Sequence, residues 1–124
     1  MHKAVVLVAL MLAAVAGFSQ AEIKFDKRIQ KFEKVKAGEI LSFDFFYVNK
    51  GDQPLIINDV KVTCGCTKPE WSKEPLLPGE TATLKVTFDT KGKIGYQDRT
   101  LEVISNAKNS PATARFRGMV DHKQ

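Results

Sequence analysis

The chain has two cysteines, one residue apart, in the stretch Val62-Thr63-Cys64-Gly65-Cys66-Thr67-Lys68-Pro69-Glu70-Trp71. Several chemistries fit that spacing. A Cys-x-Cys pair can close a small disulfide ring. In a regular strand the two Cα atoms would stand about 6.6 Å apart, at the upper edge of disulfide range, so closure needs a bend that Gly65 permits. The same pair could exchange disulfides with a partner, although nothing in the sequence forces a Lys, Arg or His beside either thiol and only Lys68 is near. Two thiolates could also hold Cu(I), with the Met119 thioether as a third soft ligand if the fold brings it close. In the architectural reading, Cys64 continues the Val60 and Val62 face into the core, which makes it the more buried thiol. Cys66 then seals the strand end, Gly65 bends the chain away, and pairing stops before Pro69, which has no N–H to give. Trp71 is either a partner-contact anchor or a lid on the end of the fold.

Other catalytic constellations lack their parts. Outside the leader described below, the one histidine is His122, third from the end, so a Ser-His-Asp or Cys-His arrangement would have to use the chain end. There is no His-Glu-x-x-His, no second cysteine pair for zinc and no dinucleotide fingerprint. Lys91-Gly92-Lys93-Ile94-Gly95 is glycine-rich but lacks the strand-to-helix setting and the Lys-Ser/Thr of a phosphate loop. The chain is therefore expected to be no enzyme, and no cofactor is implied.

The N-terminus carries an address. Lys3, the uncharged apolar run Ala4 to Phe18 and the small-x-small Ser19-Gln20-Ala21 have the layout of a cleavable secretory signal peptide over residues 1–21. The mature chain then starts at Glu22, carries no membrane span and is exported to the periplasm or the cell exterior, where disulfides are allowed. Residues 22–124 suffice for one domain. The whole chain has a net charge of +5. Acidic residues interrupt even the basic run Lys24 to Lys36, so no nucleic-acid face is expected.

The elements that must hold the cysteines read as strands. Leu41, Phe43, Phe45 and Tyr47 alternate with polar or outward positions; so do Ala82, Leu84, Val86 and Phe88, then Leu101 and Val103, then Ala112, Ala114, Phe116 and Val120. In Pro54 to Cys64 the apolar parity switches at Asn58-Asp59, which predicts a bulge. Ile23 to Val35 predicts a weaker strand pair. Asn49-Lys50-Gly51-Asp52 is expected to close a hairpin, and Pro78-Gly79 fits the centre of a type II turn. No helical stripe is visible. The predicted fold is all-β, an immunoglobulin-like antiparallel β-sandwich of about seven strands, without an inter-sheet disulfide.

Several of these pieces also carry a resemblance. Asn49-Lys50-Gly51-Asp52 with Pro54-Leu55, Cys64-Gly65-Cys66-Thr67, Pro69-Glu70-Trp71, Pro78-Gly79-Glu80, Val86-Thr87-Phe88 and Gly92 to Gly95 resemble the exported bacterial domain-of-unknown-function family 1573, across about Phe32 to Ala107. The resemblance implies an immunoglobulin-like module of the ASH/MSP/Hydin type and export. By fold analogy it points to a non-catalytic protein-binding or structural module of the cell envelope. Its partner would be an envelope protein met through an edge strand or a loop. The alternative is a thiol-disulfide or Cu(I)-binding protein acting through Cys64-Gly65-Cys66.

Overall fold

The computed structural model describes residues 19–122. The expected leader, residues 1–21, lies almost wholly outside them. Eight strands follow in order: β1 Ile23–Phe25, β2 Ile29–Lys36, β3 Ile40–Asn49, β4 Ile57–Lys61, β5 Thr67–Glu70, β6 Thr81–Asp89, β7 Gly95–Ser105 and β8 Ala112–Asp121. They form two four-stranded sheets, ordered β1-β3-β6-β5 and β2-β8-β7-β4. Among the described residues there is no helix. The fold is an immunoglobulin-like β-sandwich, as the alternation predicts.

Period-two alternation places the core. Phe43, Phe45 and Tyr47 of β3 and Leu84, Val86 and Phe88 of β6 point inward from one sheet; Leu101 and Val103 of β7 and Ala114, Phe116 and Val120 of β8 point inward from the other. Phe116 stacks on Phe43 with ring centroids 4.6 Å apart and meets Phe88 at 5.1 Å. Burying each such ring stabilises the fold by about 1.5–3 kcal/mol. Gly118 interrupts the apolar face of β8 because Phe32 of β2 lies across it; a Cβ there would sit 2.4 Å from the Phe32 ring.

The sheet assignments correct three expectations. Ile23 to Val35 does hold two strands, but they do not pair: β1 joins β3 antiparallel, and β2 crosses to the other sheet and runs parallel to β8. The sandwich is thus mixed, and its eight strands agree with the expected count of about seven. Asn49 to Asp52 closes no hairpin, because β3 and β4 belong to different sheets. The segment is a crossover tied by Asn49, which is fully buried. The Asn49 Oδ1 accepts from the Glu22 and Gly51 N–H groups, and its Nδ2 donates to the Gln53 and Leu76 carbonyls. Thirdly, pairing does not stop before Pro69, which lies inside β5 opposite Val86. The Cys66 carbonyl accepts from Asp89 N–H of β6, so even positions of this strand face β6. Alternation then turns position 69 toward the free edge, where a missing N–H costs no ladder bond.

Two local readings hold. The register of β4 shifts between Ile57 and Asp59, leaving Asn58 as the extra residue that lets Ile57 and Val60 both point inward. Gly79 has φ 82° and the Glu80 N–H donates to Leu77 C=O at 3.0 Å, the geometry of a type II turn with Pro78 at its second position.

Candidate functional site

The cysteines lie where the chain changes sheets. β4 ends at Lys61 opposite Glu102, and β5 begins at Thr67 opposite Phe88 of the other sheet. Cys64, Gly65 and Cys66 make the corner between them. The Thr67 N–H donates to Cys64 C=O at 3.1 Å, closing a turn, and the Asp89 N–H donates to Cys66 C=O at 2.9 Å, pinning it to β6. The turn brings the two Cα atoms to 5.2 Å, and the sulfurs are joined as a disulfide. Both cysteines are half-buried. It is Cys66, and not the expected Cys64, that packs against the core cluster. The Val60 and Val62 alternation does not reach Cys64, because the strand has ended three residues before it.

The two sulfurs have different surroundings. The Cys66 N–H donates to the Cys64 Sγ at 3.1 Å. The Cys66 Sγ has the Thr67 hydroxyl at 3.9 Å. Gly65 and Cys66 line a groove of about 320 Å³ with Ile40, Lys68, Thr87, Asp89 and Lys91. The Asp89 carboxylate accepts from the Lys91 N–H at 3.0 Å.

Trp71 follows β5 and packs half-buried against the core, with its indole N–H directed at Ile57 C=O of β4 at 3.4 Å. It spans the gap between the two sheets at the bulge. The Lys73 ammonium sits 3.4 Å from its ring centroid. Met119 is exposed on β8, with β7 between its strand and β4. His122 is exposed beyond the end of β8. Among the described residues no group of three or more His, Cys, Asp or Glu side chains could hold a metal, and no helix is long and apolar enough to cross a membrane.

A second feature escaped the sequence. β1 meets β3 only at Tyr47–Asn49, and one further bond runs from Asp26 N–H to Phe46 C=O. Below that, Gln30 of β2 reaches across to donate its side-chain amide to Asp44 C=O at 2.8 Å. Even positions of β3 therefore face away from β6, and by alternation so do Ser42 N–H, Ser42 C=O and Asp44 N–H. Among the described residues no strand lies beside them. Ile40 and Phe46, 68% and 53% exposed, bracket this open stretch on the outer face. A cleft of about 600 Å³, lined by Lys24, Phe25, Asp26, Phe46, Val48 and Thr81 among others, opens at its β1 end. Nothing in the alternation of β3 distinguishes a covered edge from an open one, so only strand order could have found it.

Two arginines behave differently on β7 and β8. Arg115 makes a two-pronged ion pair with Asp98 on the outer face, through Nε to Oδ1 and Nη2 to Oδ2. The hydrogen bond and the charge of Arg115 hold the Asp98 carboxyl below its ordinary value, and Asp98 raises Arg115 in return. Arg99 turns toward the core, 5.4 Å from the Phe88 ring centroid, and donates to Gln97 Oε1 and Asp98 C=O.

Comparison with known proteins now decides the family. Residues 23–120 match the family described as protein of unknown function, DUF1573. The chain belongs to this family. No curated protein matches it. Among solved structures, it is similar to a protein of unknown function from Porphyromonas gingivalis W83 at TM-score 0.66 and 15% identity, over 83% of this chain and 47% of that one. It is similar to the ASH/PapD-like domain of human CEP192 at TM-score 0.67 and 10% identity, over 85% and 89%. The Vibrio cholerae VesB protease matches at TM-score 0.61 and 17% identity, over 82% of this chain but 32% of the protease. The DUF1573 chain thus spans less than half of two of these proteins, and likenesses at such identities concern the fold alone.

Proposed function

We propose that this DUF1573 chain is an exported, non-catalytic immunoglobulin-like module that binds an extended segment of an envelope protein along the open edge of β3. The observation that carries the reading is a mid-strand row of three backbone groups, Ser42 N–H, Ser42 C=O and Asp44 N–H, beside which no strand lies among the described residues. A partner strand added there gains ladder hydrogen bonds, and its alternate side chains can settle on Phe46 and Ile40. Export rests on the leader read in residues 1–21, and the partner class rests on the family resemblance and the ASH/PapD-like likeness. The test is photo-crosslinking in cells, with the probe at Asp44 and a control probe at Glu102 on the opposite sheet. The expected result is a discrete adduct from Asp44 alone, weakened by Ser42→Pro. Equal labelling from both positions, or no adduct from Asp44, overturns the reading.

A further inference from the structure

The disulfide is asymmetric in a way that assigns roles to its two sulfurs. In thiol-disulfide exchange the sulfur that departs does so as a thiolate, and its departure is eased by any donor that stabilises the charge. The Cys66 N–H points at the Cys64 Sγ at 3.1 Å, so a thiolate formed on Cys64 is met by a backbone donor already in place. The Cys66 Sγ has only the Thr67 hydroxyl, at 3.9 Å. Access points the same way. Cys66, and not Cys64, lines the groove on the outer face of the β3-β6-β5 sheet. Lys68 and Lys91 stand on its walls and carry no ion pair among the described residues; Asp89, the one carboxylate lining it, accepts from the Lys91 backbone N–H. The groove is net positive and has the exposed Ile40 at its far end.

We propose that Cys64–Cys66 is a thiol-exchange site, in which a thiol flanked by carboxylates enters the Lys68–Lys91 groove and attacks Cys66, expelling Cys64. The incoming thiol gives its proton to water. Its sulfur forms a bond to Cys66 Sγ as the Cys66–Cys64 bond breaks, and the electron pair leaves on Cys64 beneath the Cys66 N–H. One S–S bond is exchanged for another, with no net oxidation. Where the partner carries a second thiol, that thiol displaces Cys66. The partner is then oxidised to a disulfide and the pair is left as two thiols. Removal of the ring costs the fold little, because a loop of about three residues contributes little chain entropy. The groove shares Ile40 with the β3 edge, but exchange turns on the cysteine corner and strand binding on the Ser42 and Asp44 backbone, so each fails separately.

The experiment uses the purified oxidised protein with reduced glutathione, an anionic small thiol, and in a second arm an extended peptide with one cysteine between two glutamates. Acid quench and peptide mapping locate the mixed disulfide. The expected adduct is on Cys66, with Cys64 left free to alkylate, in both arms; the faster arm tells a small-molecule source from a polypeptide one. Lys68→Gln with Lys91→Gln should slow both anionic thiols about three- to tenfold and leave cationic cysteamine unslowed, since two charges within several ångströms in water act on that order. Circular dichroism checks that these exposed substitutions leave the fold intact. An adduct chiefly on Cys64, a lysine variant that slows all thiols alike or none, or no exchange while urea-unfolded protein reacts, overturns the proposal.

Discussion

Asn49 and the cysteine pair occupy turns of similar look in the sequence and do opposite work. Asn49 is fully buried and uses both lone-pair directions and both N–H donors to tie the start of β1, the crossover and the Leu76 strand-like segment together. Deleting that amide strands three backbone groups at once, the Glu22 and Gly51 N–H and the Gln53 C=O, while Leu76 C=O keeps Leu55 N–H. Asn49→Ala should cost roughly 2–4 kcal/mol of unfolding free energy, read from chemical denaturation, because each buried group left unpaired costs about 1–3 kcal/mol and some regain water. The cysteine ring closes only its own turn, which the Thr67 N–H and Asp89 N–H bonds hold as well. Cys64→Ala with Cys66→Ala should cost no more than about 1–3 kcal/mol, mainly lost packing of Cys66. A double variant that is unfolded at room temperature would make the bridge structural.

β7 and β8 carry the one ion pair whose geometry gives it weight. Asp98 is depressed when folded, so its contribution is present above the ordinary carboxylate value near 4 and is lost as pH falls through the lower folded value. Wild type and Asp98→Asn should therefore differ in thermal midpoint at neutral pH and converge as the acid limb is descended. Midpoints that stay parallel to the bottom of that limb would contradict the assignment. The same strands show what could be read before the fold was known. The inward faces of β3, β6, β7 and β8 follow from alternation, because burial on one side of a pleated strand imposes period two wherever it occurs. The Asn58 bulge was legible for the same reason: two apolar parities on one strand need an extra residue. Sheet membership was not. A three-residue β1 and a basic β2 carry no mark of the sheet each joins, and an edge proline such as Pro69 reads like a strand stop until its open side is known. Which cysteine packs on the core was not legible either, because strand parity does not carry past Lys61 into the turn.

The two sheets leave one end of the molecule tied to the first described residues. Gln20 exchanges hydrogen bonds with Asp52, Ala21 C=O accepts from Lys108 N–H, and Ala21 is 1% exposed within the core. A Cβ at position 51 would lie 2.1 Å from the Gln20 carbonyl oxygen, so the glycine makes room for this segment. Cutting at the expected boundary, between Ala21 and Glu22, would remove these contacts. N-terminal sequencing of the protein recovered from its native cells should begin at Glu22, the expected mature start; a start at Met1 would contradict the leader. The central claim concerns the other open feature, the β3 edge, and amide hydrogen exchange tests it most directly. Phe43 and Phe45 bond to β6, whereas Ser42 and Asp44 face no strand. In the isolated protein the account predicts rapid exchange at Ser42 and Asp44 beside slow exchange at Phe43 and Phe45, with the fast pair becoming protected when the crosslinked partner is bound. Four equally protected amides in the isolated protein would mean that the edge is already covered and the account is wrong.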